Sequence, residues 1–316
     1  MVRGGFMRAL FAVLAASAIL AGPAFALSPG KQRQSQSQTE TLRKAPPSEE
    51  SENDQDVETE ELFAFVSGSD IGEKGERELT FSLDGAFRKR EGTFRAVTPM
   101  VEFGFNPTDR LHVALELWGD HFKVRGNPDF DDQNRWGGGG AIEFKALLVK
   151  RGEGSPIGVA LVVAPEYATS EEMSGEPARR YALELRLIAD AELVKDRVFA
   201  AVNFLYEPEK VKPRGEAWEK ESTFGASAAI MARLGPAVFA GGEIQYFRKY
   251  DGYFFETFAG HAVYVGPALH LILSEHCTLT LGWAIQVAGR AAGDPRSLDL
   301  VNFERQRGTL KLSAHF

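Results

Sequence analysis

The sequence has one cysteine, six histidines and, after residue 26, no apolar run near the roughly 20 residues that a membrane-spanning helix needs. The lone Cys277 excludes an internal disulfide bond and a cysteine-based metal site. No His-Glu-x-x-His, phosphate-loop or dinucleotide-binding motif occurs. The net charge of −8 argues against a nucleic-acid partner, for which a basic surface is expected. We therefore predict no cofactor, no metal ion and no enzymatic activity.

Residues 1–26 are organised as a secretory signal peptide. A short basic start, residues 1–8, precedes the apolar stretch 9–20, and Gly22-Pro23 then leads to a small-x-small sequence ending at Ala26. The alternative is an uncleaved membrane anchor, because residues 9–26 are nearly long enough to span a bilayer. The helix breaker and the small residues that follow it favour cleavage after Ala26.

From residue 77 onward, apolar and polar side chains alternate. In the first segment Leu79, Phe81 and Leu83 alternate with Thr80 and Ser82, so a strand here has one apolar face. About twelve such segments follow one another, near 77–87, 94–105, 111–118, 142–148, 157–167, 181–190, 198–207, 221–234, 238–249, 261–273, 277–288 and 303–316. The pattern predicts an all-β fold, an antiparallel up-and-down transmembrane barrel of about 12 strands. A soluble β-sandwich is the alternative.

The connections between these segments separate into two sets. One set is short (106–109, 150–156, 194–197, 235–236 and 274–276), and the interleaved set is mostly long (120–135, 168–180, 208–220, 250–259 and 289–302). Membrane barrels have short turns at one end and longer loops at the other. Four tyrosines on the apolar face adjoin the long connections and predict an aromatic girdle at the membrane interface: Tyr167, Tyr181, Tyr206 and Tyr246.

The last segment, residues 308–316, places Leu310, Leu312 and Phe316 on one face, and Phe316 ends the chain. An aromatic end to an alternating strand resembles the terminal strand of Gram-negative bacterial outer-membrane β-barrels, and the resemblance covers residues 77–316. It implies a position in the bacterial outer membrane, in contact with outer-membrane lipid, with both termini in the periplasm. It also implies that Leu310, Leu312 and Phe316 form the signal read by the outer-membrane assembly machinery.

The predicted domain organisation is a signal peptide (1–26), a disordered periplasmic linker (27–61), a short segment leading into the barrel (62–76) and the barrel itself (77–316). The linker holds almost no large apolar side chain, so it cannot offset the entropy lost on ordering. A partner-binding tail is the alternative for this segment.

If the apolar faces contact lipid, the opposite faces line a lumen. The predicted lumen residues are Glu102, Glu116, Glu143, Lys145, Glu184, Arg186, Asp190, Arg233, Glu243, Arg305, Arg307 and Lys311. We expect the narrowest level at Glu116, Glu143, Glu184, Arg186 and Glu243. Five further acidic residues share the inward parity: Glu78, Asp84, Glu166, Glu192 and Glu221. Eleven inward carboxylates against six bases predict a weak preference for cations. Alternatively, ion pairs among these residues fill and close the narrow lumen.

The predicted function is passive, porin-like passage of small solutes through a polar, mildly acidic lumen. Two alternatives remain open at this stage. One is a lipid hydrolase carried by the barrel, and the other is a non-conducting structural or adhesive surface protein.

Overall fold

The computed structural model describes residues 57–128, 130, 132–152 and 154–316. The predicted signal peptide and most of the predicted linker lie outside these residues. No helix in the described ranges is long and apolar enough to cross a membrane. The strands are β1 (Arg77–Phe87), β2 (Thr93–Thr108), β3 (Leu111–Trp118), β4 (His121–Arg125), β5 (Gln133–Trp136), β6 (Gly139–Val149), β7 (Ile157–Ser170), β8 (Pro177–Val194), β9 (Val198–Pro213), β10 (Glu219–Gly235), β11 (Val238–Asp251), β12 (Thr257–Ser274), β13 (Cys277–Ala291) and β14 (Gln306–His315).

Twelve of these strands close into an antiparallel barrel. β1 pairs with β2 on one side and with β14 on the other, so that Phe81 lies opposite both Val101 and Leu312. The remaining wall runs in chain order from β2 through β3 and β6 to β14. Arg77 and Phe316 exchange two backbone hydrogen bonds, of 2.9 and 3.0 Å, where the first and last strands meet. The predicted 12-stranded barrel is confirmed.

Strands β4 and β5 extend the wall at one place. The first part of β2, up to and including Val97, pairs with β4, and the part from Met100 onward pairs with β3. β5 pairs with β4. Asp120 and Gly137 exchange backbone hydrogen bonds of 3.1 and 2.8 Å at the break between the two parts. The β4–β5 hairpin is therefore a continuation of β3 and β6 past the rim of the barrel.

The two ends of the barrel differ as predicted. Residues 109–110, 150–156, 195–197, 236–237 and 275–276 form what we call the short-turn end, and the other connections form the long-loop end. Several strands are longer than predicted: β8 and β12 each have 18 residues, whereas a strand needs about 9–11 residues to cross a membrane. Pairing continues past the apolar alternation, through polar pairs such as Lys210 with Lys220. Parts of the predicted loops are therefore strand.

Large apolar side chains cover the outside of the barrel. Leu117 is 57% exposed and Ile244 is 49% exposed, and many neighbouring outward positions are similar. The inward positions of the same wall are buried and often polar, as at Thr80 and Gln245. A soluble β-sandwich would place its apolar faces inward, so this distribution fits a surface solvated by lipid.

The four predicted girdle tyrosines lie on this outward face toward the long-loop end. Tyr167 and Tyr181 face each other across β7 and β8 with ring centroids 5.1 Å apart, and Tyr181 also contacts Trp218 at 6.0 Å. Tyr206 contacts Phe255 at 5.6 Å. Tyr246 contacts His261 at 6.1 Å. Each of the four tyrosines thus contacts another aromatic ring on this face, and their role as a girdle at a membrane interface stays a prediction.

A charge on the apolar face tests the assignment of faces. Leu187→Arg places a cation midway along β8 on an exposed apolar position, and we expect it to lower the unfolding free energy in lipid vesicles by about 2–4 kcal/mol. The matched control is Leu193→Arg, on the same face of the same strand but beside the short turn, with an expected cost of about 0–1 kcal/mol. Urea titrations measure both variants. An equal loss of unfolding free energy in the two variants would contradict the different membrane depths assigned to Leu187 and Leu193.

Candidate functional site: a lumen occupied by an N-terminal plug

Residues 57–70, here called the plug segment, lie inside the barrel. Leu62, Phe63, Ala64 and Val66 are each at most 1% exposed. They pack in one apolar cluster with inward side chains of the wall: Phe199, Ala201, Ala229, Met231, Phe239 and Ala268. The lumen is thus polar on one side and apolar on the other, and the apolar side receives the plug segment.

Two wall side chains bind the backbone of the plug segment at its centre. Glu243 on β11 accepts hydrogen bonds from the amides of Ala64 (2.7 Å) and Phe65 (2.8 Å), one at each carboxylate oxygen. Asn203 on β9 accepts from the Ser67 amide at 2.7 Å and donates to the Ser67 carbonyl at 2.9 Å. Four backbone groups of an irregular segment are satisfied in this way inside a narrow lumen.

The two ends of the plug segment meet at Asp190 on β8. Its carboxylate accepts hydrogen bonds from the Ser69 amide and from the Thr59 hydroxyl, the second at 2.8 Å. Arg151 binds the carboxylate of Asp70 at 2.6 Å and the carbonyl of Val57 at 2.9 Å. Because Thr59 and Ser69 share one carboxylate, the plug segment is a loop that turns back on itself.

The wall leaves space for the plug segment at Gly282 on β13. A Cβ atom there would lie 2.5 Å from the Cβ of Ala64 and 2.8 Å from the ring of Phe65. Such distances are too short for any side chain, so the close approach of the plug segment depends on glycine at this position.

The predicted boundary of the linker at residue 61 is wrong by a few residues, because residues 57–61 already belong to the plug segment. Thr59 is fully buried, and the carbonyl of Glu61 accepts a hydrogen bond from Thr280 at 2.7 Å. The low apolar content of residues 27–61 indicated disorder, but in residues 57–61 the barrel supplies the partners that the segment itself lacks. The rest of the predicted linker lies outside the described residues.

Four of the predicted lumen residues contact the plug segment. Glu243 and Asp190 do so as described above. Arg186 donates to the Ser67 hydroxyl at 2.7 Å and pairs with Glu184 at 2.5 Å. Lys145 pairs with Glu60 at 2.8 Å and donates to the Asp70 carbonyl at 2.6 Å. These four side chains therefore hold the plug segment against the wall.

Other predicted residues line two cavities. Glu102, Glu116, Glu143 and Lys311 surround a chamber of about 180 Å³ between the wall and the plug segment. Glu184 and Arg307 line a larger vestibule of about 480 Å³ toward the long-loop end. Arg186 borders both cavities, so they adjoin at this side chain.

Two predicted lumen residues occupy other places. Arg233 lies beside the turn after β10, donates to the carbonyl of Pro236 at 2.9 Å and covers the ring of Phe239, so it closes the short-turn end. Arg305 is exposed and precedes β14, which begins only at Gln306. The carbonyl of Arg305 accepts a hydrogen bond from the Gln286 amide of β13 at 2.9 Å, and its place in the lumen stays a prediction.

The structure adds Arg180, Glu207, Glu209 and Lys249 to the charged lumen residues that the sequence singled out. Arg180 is surrounded by Glu166 (3.0 Å), Glu209 (3.3 Å) and Glu207 (3.7 Å). Lys249 pairs with Glu221 at 2.5 Å. These residues lie where the strands continue past the apolar alternation. Inward parity was the available signal, but Arg180 and Glu209 fall in the predicted connections 168–180 and 208–220.

The loop between β13 and β14, residues 292–305, folds back into the lumen. Asp299, Leu300 and Phe303 are buried, and Lys89 donates to the carbonyls of Val301 and Phe303 at 2.9 Å each. At its exposed end, hydrogen bonds from Arg296 together with the nearby Arg90 lower the pKa of Asp294 to about 2. The lumen is therefore narrowed from both ends.

The inward-pointing charges, the apolar outer wall and the closed meander define a membrane β-barrel of the outer-membrane type with an internal plug. Residues 55–316 match a family model described as "Family of unknown function (DUF6662)", and the chain belongs to this family. No curated protein matches the sequence.

Solved structures of outer-membrane proteins are similar to this chain. The COG4313 outer membrane channel from Pseudomonas putida F1 is 9% identical over 78% of this chain and 98% of that chain, with a TM-score of 0.58. The translocator domain of the autotransporter NalP from Neisseria meningitidis is 11% identical over 78% and 90%, with a TM-score of 0.47. The NanC porin is 8% identical over 75% and 98%, with a TM-score of 0.44.

Hydrogen exchange tests how the plug segment is held. Glu243→Gln leaves one of the two amides of Ala64 and Phe65 facing an NH₂ group instead of an oxygen. Loss of a charge-assisted bond costs about 1.5–3 kcal/mol, so we expect protection of residues 62–67 to fall roughly 10–100-fold. Glu221→Gln, an inward carboxylate paired with Lys249, is the matched control. Unchanged protection in Glu243→Gln would show that these bonds do not hold the segment.

Proposed function

We propose that this protein is an outer-membrane channel for small solutes, with its termini and short turns on the periplasmic side and the plug segment constricting its lumen. The observation that carries the proposal is the pair of adjoining cavities, the vestibule and the chamber, which meet at Arg186. Together they reach from the long-loop half of the barrel to the wall beside the plug segment. A barrel that served only as a scaffold would not need open space inside its lumen.

The charge of the chamber supports a preference for cations. Six carboxylates line it (Glu60, Glu61, Glu78, Glu102, Glu116 and Glu143), against the three cationic side chains of Lys145, Arg186 and Lys311. Glu102 and Glu116 are directly opposite each other on β2 and β3. A narrow, low-dielectric passage lined by one sign of charge concentrates counter-ions. Cationic or neutral solutes are therefore the favoured class.

The fold shared with the Pseudomonas putida F1 protein is consistent with this proposal, since that protein is an outer membrane channel. The hydrolase alternative draws no support from the two buried histidines. His112 is hydrogen-bonded to Asn106 at 2.7 Å and His270 to Thr280 at 2.8 Å. Neither histidine is therefore hydrogen-bonded to the serine or the acidic residue that a hydrolase triad would place beside it. Passage of solutes remains the function that the described geometry favours.

Conductance of the refolded protein in a planar bilayer tests the channel directly. We expect small discrete steps for the wild type, and larger or more frequent steps for Glu243→Gln, because the loosened plug segment leaves the lumen more often. Glu221→Gln is again the control and should behave as the wild type. A folded barrel that shows no steps in any of the three would contradict the proposal and favour a non-conducting surface protein.

Reversal potentials across a salt gradient test where selectivity arises. Glu116→Gln removes one negative charge from the chamber, and we expect the cation preference to decrease toward that of a non-selective pore. Glu219→Gln removes the same charge from an exposed position at the long-loop end and should leave the reversal potential nearly unchanged. An equal change in both variants would assign selectivity to the overall charge instead of the chamber.

A further inference from the structure

Three potential metal ligands meet where the plug segment crosses the wall. Glu60 belongs to the plug segment, Glu78 to β1 and His112 to β3, and one ligand atom of each lies within 4.8 Å of the others. Glu78 is 5% exposed and His112 is 3% exposed. The three line one side of the chamber. Two carboxylates and an imidazole thus converge in a buried place reached only from the lumen.

The orientation of His112 leaves one ring nitrogen without a hydrogen-bond partner. Nδ1 lies 2.7 Å from Asn106 Oδ1, and the amide oxygen is an acceptor, so Nδ1 carries the proton and donates it. Nε2 then presents a lone pair, and it lies 3.9 Å from Glu102 Oε1, which is too far for a hydrogen bond. A histidine whose other nitrogen donates to an oxygen is the usual arrangement of a metal ligand.

Gly104 makes room for this ring. It is the register partner of Glu78 across β1 and β2, and a Cβ at Gly104 would lie 2.5 Å from His112 Cε1 and 2.9 Å from Nε2. Any side chain at this position would displace the imidazole. Because Gly104 has no side chain, the imidazole ring of His112 lies beside Glu78, as it must if both residues bind the same ion.

The two carboxylates are each held by one partner. Thr80 donates to Glu78 at 2.7 Å, and Lys145 donates to Glu60 at 2.8 Å. With Glu102 beside His112, three carboxyl groups and one ammonium group surround the point of convergence. A divalent cation bound there would favour the ionised form of these carboxyl groups and would be the partner that buried carboxylates need.

We infer that Glu60, Glu78 and His112 bind a divalent first-row transition metal ion such as Zn²⁺. The imidazole favours such an ion over Ca²⁺ or Mg²⁺, which prefer oxygen ligands alone. Metal–ligand bonds of about 2.0–2.2 Å place tetrahedral ligand atoms about 3.4 Å apart, so the carboxylates close in by rotation of their side chains. Because Glu60 is on the plug segment and the other two are on the wall, the ion cross-links them. The inference goes beyond passage of solutes and does not depend on it.

Calorimetric titration of the refolded protein with Zn²⁺ tests the site. We expect one equivalent to bind the wild type, binding to weaken at least about tenfold in His112→Gln, and no matching signal with Ca²⁺. His270→Gln is the matched control, a second buried lumen histidine that is bonded to Thr280 and is not one of the three convergent ligands, and it should bind as the wild type. Equal Zn²⁺ affinity in wild type and His112→Gln would overturn the inference.

A variant on the plug segment keeps the test decisive if His112→Gln does not fold. Glu60→Gln lies outside the strands and should bind Zn²⁺ at least about tenfold more weakly while the barrel folds normally. In the wild type, Zn²⁺ should also increase hydrogen-exchange protection of residues 57–70, and in Glu60→Gln it should not. Equal Zn²⁺ affinity in Glu60→Gln and wild type, or no change in protection of the wild type, would show that no ion joins the plug segment to the wall.

Discussion

The closed sheet imposes the constraint on which the rest of the structure depends. Every strand residue points either to the outside or to the lumen, and backbone groups in a lipid-spanning segment must pair within the protein. Charged side chains of the strands are therefore directed inward, into the limited space of twelve strands. The inward charges must bind one another, a plug, or ions from solution, and the protein uses the first two in different halves of the lumen.

The plug segment depends on this inward chemistry. An irregular backbone inside a barrel loses water from its amides and carbonyls, and each group left unpaired would be costly. Glu243, Asp190 and Asn203 supply the missing partners, and the apolar cluster around Phe63 supplies buried area. The bonds come from β8, β9 and β11 at once, so the segment leaves only when several separate contacts break together.

The sequence predicted the barrel because its signals are local. A side-chain period of two, the alternating lengths of connections and the aromatic end at Phe316 can each be read within one segment. The plug segment could not be predicted in this way. Phe199 and Phe239 have ordinary strand positions, and only the register across distant strands shows that both point at Phe63. Glu60 had no signal at all, since its partners Lys145, Glu78 and His112 lie on three other elements.

The two halves of the lumen differ in how their charges are compensated. In the long-loop half, Arg180 and Lys249 each contact at least two carboxylates, so the charges there largely cancel. In the chamber, Glu102 and Glu116 are opposed across β2 and β3, and neither pairs with a lysine or arginine of the described chain. Like charges in directly opposite positions destabilise a sheet unless water or cations screen them. In the channel that we propose, water and cations in the chamber would screen this opposed pair, which neither the wall nor the plug segment neutralises.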